Sequence, residues 1–315
     1  MKTLLLFGLS ALLCLSSIAQ NSANLKLNLE KNKVYRLNAV SDQTVVQTVN
    51  GNSQTVNSKT QYTLSLKMLD ATPAFMVAEA RFDTMIIRSN AMGKTTLISS
   101  ATEGNIASSE AGEIMSAVIH KLCQNPLFIK LDWTGKVLET VNIKMLSAIV
   151  LKDTSAITLT GPVGSALKTQ IEGMVSDQSF KTMVEMFTYN LPGKEVTSGE
   201  KWTTSQPMNS GGMNLNIETS YQLDKLTQER AEITAEANIS AAANAVPIQS
   251  GPATVTYDDL KGLSKSALVI DPRTGLLLEN KSKTHMTGNL GVSGPGFSMT
   301  MPMEINGETK VTALP

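Results

Sequence analysis

From Lys33 to Ser100 the chain alternates apolar and polar residues in runs broken by turn formers, which is the two-residue period of half-buried antiparallel strands. Val45, Gln47 and Val49 lead into Asn50-Gly51, a strong short-range hairpin signal. The runs "YTLSLKML" and "AFMVAEARF" flank Asp70 to Pro73 as a second pair, and "TTLISS" ends the set. The period then lengthens: Ser109 and Glu110 can cap a helix that runs to about Gln124 and stops before Pro126. "LFIKLDWTGKVLE" reads as strand, tight turn and strand, with Gly135 free to take the turn's dihedral. Helical spacing returns over residues 143–151, 163–175 and 178–189. In the last of these Phe180, Met183, Val184 and Phe187 share one face. Pro192-Gly193 ends the helical part, and alternation resumes from Lys201.

The second alternating part resembles the first. Tyr62, Leu64, Ala74, Val77 and Glu79 align with Tyr221, Leu223, Ala231, Ile233 and Glu236 across a two-residue gap and a one-residue shift at Val77. "LDWTGKVLE" likewise aligns with "IDPRTGLLLE". A duplicated β module is one reading, and chance likeness among short strands is the other. Strands, then helices, then strands again predict an α+β fold, mainly antiparallel, with two curved sheets and helices packed between or against them. The corresponding division is 1–19 leader, 20–145 first β-rich module with one helix, 146–192 helical connector and 193–315 second β-rich module.

The first residues change where such a chain is expected to work. Lys2 precedes a twelve-residue apolar run from Leu4 to Leu15, and Ser17-Ile18-Ala19 is a small-x-small site, so a secretory leader cleaved after Ala19 is expected. The run is short for a permanent membrane span. Lipidation at Cys14 is the alternative, but Leu13 stands where a small residue is needed. The expected location is periplasmic or secreted. Lys2 is the only charged residue among the first 19, so 26 basic and 27 acidic side chains follow it. That balance steers the protein to neither nucleic acid nor an anionic membrane surface. No second apolar stretch approaches spanning length.

Candidate chemistry is sparse. Beyond Cys14 only Cys123 remains, in the apolar helical pattern of Ile114, Val118, Ile119 and Leu122, and reads as a small buried hydrophobe. His120 lies three residues from Cys123, on one helical face, yet a structural zinc needs about four ligands. Ser-x-x-Lys occurs at Ser165–Lys168 and again at Ser198–Lys201, without the partner motifs of the serine enzymes that use it. "GPVGSALKT" lacks the phosphate-loop spacing. The two Asp-(x)n-Thr-Gly turns read as local hairpin chemistry. The expectation is a non-catalytic protein without metal or cofactor, an enzyme with a dispersed site being the reading that spacing cannot address.

Methionine is the feature left over, sixteen in all. Phe297, Met299, Met301, Met303 and Ile305 alternate, so an extended backbone places all five on one face. Such a row can be ordinary core, the wall of an apolar pocket, or a Cu(I) site. Pro302, on the opposite face, cannot donate to a ladder and predicts an edge strand. For a pocket the candidate lining is Phe180, Met183, Phe187, Met299, Met301 and Met303.

The "SIAQ" site, the stretch "GKEVTSGEKWTT" and the strand pair "LVIDPRTGLLLE" together resemble secreted or envelope families of unknown function from Bacteroidetes-type bacteria. The resemblance implies location and architecture. More remotely, curved antiparallel sheets covering helices look like the half-barrel of periplasmic lipoprotein and lipid carriers, which implies an apolar small molecule or lipid as ligand. A surface protein acting through contacts with an envelope partner is the alternative expectation.

Overall fold

The computed structural model describes residues 22–315 except 50, 211–212, 243–246 and 251–252. The side chains of Pro162, Asn209, Ser210, Gln249 and Ser250 are also outside the description. The expected leader, its cleavage site and Cys14 lie outside the described residues, as do Asn50 of the first hairpin and the Gly211-Gly212 pair.

The first alternating region forms β1 (Ser22–Asn24), β2 (Val34–Val49), β3 (Asn52–Ala71), β4 (Met76–Ala91) and β5 (Lys94–Ser99). Helix α1 (Ala111–Gln124) follows, then β6 (Leu127–Leu131) and β7 (Val137–Thr140). Three more helices are α2 (Ile143–Leu151), α3 (Gly161–Met174) and α4 (Asp177–Thr188). The second alternating region gives β8 (Glu195–Thr197), β9 (Lys201–Ser210), β10 (Met213–Leu226), β11 (Ala231–Ala241), β12 (Ile248–Ser250), β13 (Ala253–Ile270), β14 (Leu277–Gly294) and β15 (Phe297–Leu314).

These strands make two antiparallel sheets of very unequal size. β1 and β8 pair alone, and thirteen strands form one open sheet in the order β7-β6-β4-β3-β2-β15-β14-β13-β11-β10-β9. β5 adds to β4 and β12 to β13. The expectation of one curved sheet for each alternating region is therefore corrected. The long strand of the first region, β2, pairs with β15 of the second, from Arg36 opposite Leu314 to Gln47 opposite Met303. Each region alone would leave a long apolar-faced edge exposed, and joining the two edges pairs those backbone groups with each other.

β15 is consequently interior, not the edge strand that Pro302 predicts. The proline is tolerated because β2 reaches only to Met303, so residues 297–302 pair with β14 alone and one side of β15 is locally free. Bulges bend the sheet where register shifts, as between Asp258 and Lys261, and there Asp259 takes φ +54°. Beside this bulge Gly262 allows close approach, since a Cβ there would lie 2.6 Å from the carbonyl oxygen of His285.

The helices pack at one end of the sheet around the larger apolar cluster. α1 buries Ile114, Met115, Val118, Ile119 and Leu122 against β4 and β5, as its spacing predicts. α4 begins at Ser176, whose hydroxyl accepts from Ser179 N–H at 3.2 Å, and buries Phe180, Val184 and Phe187. Each of those phenylalanines contributes about 1.5–3 kcal/mol by leaving water. The Asp-Thr-Gly segments are turns: Asp132 Oδ1 accepts from the backbone N–H of Thr134 and Lys136, and Asp271 Oδ1 from that of Arg273. A second, smaller cluster of Leu215, Ile217, Ile239, Leu260, Met286, Met303 and Ile305 lies farther along the same strands.

Candidate functional site

Between the two clusters, successive strands from β3 to β9 present small side chains to one face, and a cavity of about 440 Å³ lies over them. That volume is in the range of small-molecule sites. Strand register explains it. Thr219, Ala237, Ser264, Thr284 and Gly307 stand opposite one another across β10, β11, β13, β14 and β15. The neighbouring row is Tyr221, Ala235, Ser266, Ser282, Thr309 and Ser41. Apart from Tyr221 at the β10 end, these two rows form a belt of hydroxyl, methyl and hydrogen side chains too short to reach across the face. Thr284 donates to Ser264 at 2.8 Å and Thr309 to Ser41 at 2.9 Å, so the belt satisfies part of its own hydrogen bonding.

The flanking rows are apolar with one exception each. Below the belt run Leu223, Ile233, Leu268, Asn280, Val311 and Ala39, and above it run Gln206, Ile217, Ile239, Gly262, Met286 and Ile305. Asn280 and Gln206 are the two amides. Among the described residues the buried Asn280 Oδ1 and Gln206 Oε1 have no hydrogen-bond donor within reach, and both residues line the cavity. The outer face of the same strands alternates with the belt and is charged: Lys265, Lys281, Lys283, Glu308 and Lys310 are exposed, with Lys283 and Glu308 paired at 2.8 Å.

α4 closes the lower side. Tyr62 meets Phe187 edge-on at 5.7 Å between centroids and donates its hydroxyl to Met186 Sδ at 3.1 Å. Burial pushes the Tyr62 phenol well above its ordinary range. Tyr221 is also raised by burial, and its hydroxyl donates to Asn190 Oδ1 at 3.4 Å. Among the described residues Glu185 is the one acidic side chain on the cavity lining. Its Oε1 accepts from Val137 N–H at 2.9 Å, and burial raises its carboxyl above the usual value.

The six side chains proposed from sequence are divided between regions. Phe180 and Phe187 are fully buried in the large cluster, with Met183 packed against it. Met303 is buried in the smaller cluster, while Met299 and Met301 are half-buried farther along β15 and Phe297 is 48% exposed. None of the six lines the cavity; their neighbours Met186 and Ile305 do, along with Met208, Met213 and Met286. His120 is committed elsewhere, to Ser100 carbonyl oxygen at 2.8 Å and Gln124 Nε2 at 2.7 Å, and burial raises the Cys123 thiol. The belt itself was not singled out in the sequence. Its signal is present as "SKSALVI", "NKSKTH" and "NGETKV", where small residues and charges alternate.

A family model described as "Family of unknown function (DUF6263)" matches residues 74–277. No curated protein matches the sequence. Among solved structures, lipovitellin, from a study of its lipid-protein interactions, aligns at TM-score 0.46 and 8% identity over 91% of this chain, which spans only 26% of that one. A domain described as that of an outer membrane lipoprotein-sorting protein from Vibrio parahaemolyticus aligns at TM-score 0.13 and 9% identity, over 88% of this chain and 83% of that one. A mutant porin of Rh. blastica aligns at 0.17 and 8%, over 90% and 100%. Likeness at these scores bears on no ligand or activity.

Proposed function

Because the chain belongs to the DUF6263 family, a family of unknown function, we propose its role from the cavity alone: it is a non-catalytic binding protein that holds an elongated, largely apolar small molecule or lipid inside its curved sheet. The supporting observation is the belt. A sheet built only to fold would fill this face with Leu, Ile and Val, as the rows on either side do; two consecutive rows that across β11, β13, β14 and β15 hold only Ser, Thr, Ala and Gly instead keep the face hollow. The lining runs along β10 from Met213 to Tyr221, eight residue steps or about 27 Å of strand, which suits a long molecule better than a compact one.

An exported location, periplasmic or secreted, fits this role, and no helix among the described residues is long and apolar enough to cross a membrane. Native mass spectrometry of the purified protein tests the proposal, paired with Ser282→Leu, which fills the belt. Wild-type protein carries or takes up a lipid, and the folded variant does not. Equal loading of the two proteins, or none in wild type after incubation with mixed phospholipid, fatty acid and acylglycerol, would sink it.

A further inference from the structure

The two ends of the cavity differ in polarity. Its far end is lined by Met208, Met213, Leu215, Ile217 and Met286, all of the smaller apolar cluster. At the helical end the lining gathers on the last turn of α4. Glu185 and Tyr189 stand four residues apart on one helical face, the Tyr189 N–H bonded to the Glu185 carbonyl oxygen at 2.8 Å. Both sheet tyrosines of the lining are tied to this same turn, Tyr62 through Met186 Sδ and Tyr221 through Asn190 Oδ1. A helical turn is about 5.4 Å long, so one small head group placed here is within reach of a carboxyl and of tyrosine side chains.

The charges around this corner favour a cation. Glu185 is only 7% exposed, and its Oε1 accepts from Val137 N–H. Its Oε2 has no hydrogen-bond partner among the described residues and, unlike the Asn280 and Gln206 oxygens, is not fully enclosed. The charged groups that act on it stand outside the lining: Lys136 is exposed and lies over the Tyr189 ring at 5.9 Å, Lys181 is paired with Asp177 at 2.8 Å, and Asp132 accepts from its own turn. Burial outweighs both lysines and raises the Glu185 carboxyl. The last turn of α4 carries no basic residue, so the partial negative end of the helix has no cation of its own. Among the described residues the lining holds no Lys, Arg or His to seat an anion.

Resting on the carrier reading above, we propose that the last turn of α4 is a head-group subsite for a protonated amine, and that the ligand is a long-chain alkylammonium amphiphile whose chain runs along the belt toward the methionine end. The ammonium donates to Glu185 Oε2, which becomes a carboxylate paired with it. Phenol oxygens accept its remaining N–H groups, and aromatic ring faces attract its charge. An anionic head group would meet Glu185 and the negative end of the helix with no countercharge on the lining, so the same corner rejects a fatty acid.

The test uses decylamine, 1-decanol, decanoate and butylamine, each displacing the neutral dye N-phenyl-1-naphthylamine from the full-length protein at neutral pH. Wild type should bind decylamine at least about tenfold more tightly than decanoate and than butylamine, with decanol between. Glu185→Gln keeps the acceptor for Val137 N–H and should cut the decylamine-to-decanol ratio about tenfold or more. Tyr189→Leu keeps apolar bulk and should cut the same ratio several-fold. Equal affinity of wild type for decylamine and decanoate overturns this inference and leaves the carrier reading standing. So does a ratio unchanged in both variants, or butylamine binding as tightly as decylamine. Binding of no decyl probe, with no lipid found by mass spectrometry, removes the carrier reading and this inference together.

Discussion

The indole of Trp202 lies parallel to the phenol ring of Tyr221, 5.3 Å between centroids and 6° from coplanar. The two are register partners on β9 and β10, and both reach Asn190 just beyond α4: Trp202 Nε1 donates to its carbonyl oxygen at 3.2 Å, and Tyr221 to its side chain. This pair fastens the last strand of the sheet to the helical end of the cavity. Trp202→Ala should therefore cost about 3–5 kcal/mol in denaturant unfolding. A loss under about 1 kcal/mol would mean that the stack anchors nothing.

Glu185 gives a pH dependence of definite sign. Burial raises its carboxyl in the folded protein, so the folded state holds the proton more tightly than the unfolded chain does. Its contribution is greatest when protonated, below the ordinary carboxylate range, and declines as pH rises through that range into the raised folded value. Glu185→Gln keeps an acceptor for Val137 N–H and removes the charge. It should match wild type in melting temperature at low pH and exceed it near neutrality. Glu185→Leu, which strands that N–H, should lose about 1–3 kcal/mol.

Two glycines should respond oppositely to alanine. Gly135 sits at φ +89°, and a Cβ there would lie 2.0 Å from Thr188 carbonyl oxygen, while Thr188 donates its hydroxyl back to Gly135 oxygen at 2.6 Å. Gly135→Ala should cost about 2 kcal/mol or more. Gly173, within α3, has nothing within 4 Å of the added carbon, so Gly173→Ala should stabilise by roughly 0.5–1 kcal/mol. Thermal melts of the two variants moving in the same direction would contradict this account.

Pro302 should matter for solubility more than for folding. Residues 297–302 form a locally free strand side carrying an exposed Phe297 and half-buried Met299 and Met301. Pro302→Val restores an N–H donor there and should raise light scattering at high protein concentration, with little change in melting temperature. An unchanged scattering profile would show that this side is already protected.

Most local structure was legible in the sequence, because helical and strand periods are properties of neighbours. The helix expected over 163–175 occupies Gly161–Met174, and the one expected over 178–189 occupies Asp177–Thr188. Partner choice was not legible. Nothing near Ser41 specifies that it will face Thr309, and the single large sheet follows from that pairing. The cavity was missed for a related reason. Attention to large apolar residues selects Phe180 and Met303, which fill space, whereas a hollow is made by residues such as Ser266 and Ser282 that decline to fill it. Their meaning emerges only when register lines them up.

The β2–β15 seam also governs when the protein can fold. Ser41 and Thr309 are 268 residues apart, yet their side chains bond at the middle of the sheet. Until β15 is available, β2 and β14 each present an unsealed flank, and the hollow has no continuous wall. Closing so large a loop is entropically slow relative to forming the local hairpins. The two halves should thus assemble early and wait, vulnerable to misassociation through those flanks, until one late pairing event seals the molecule.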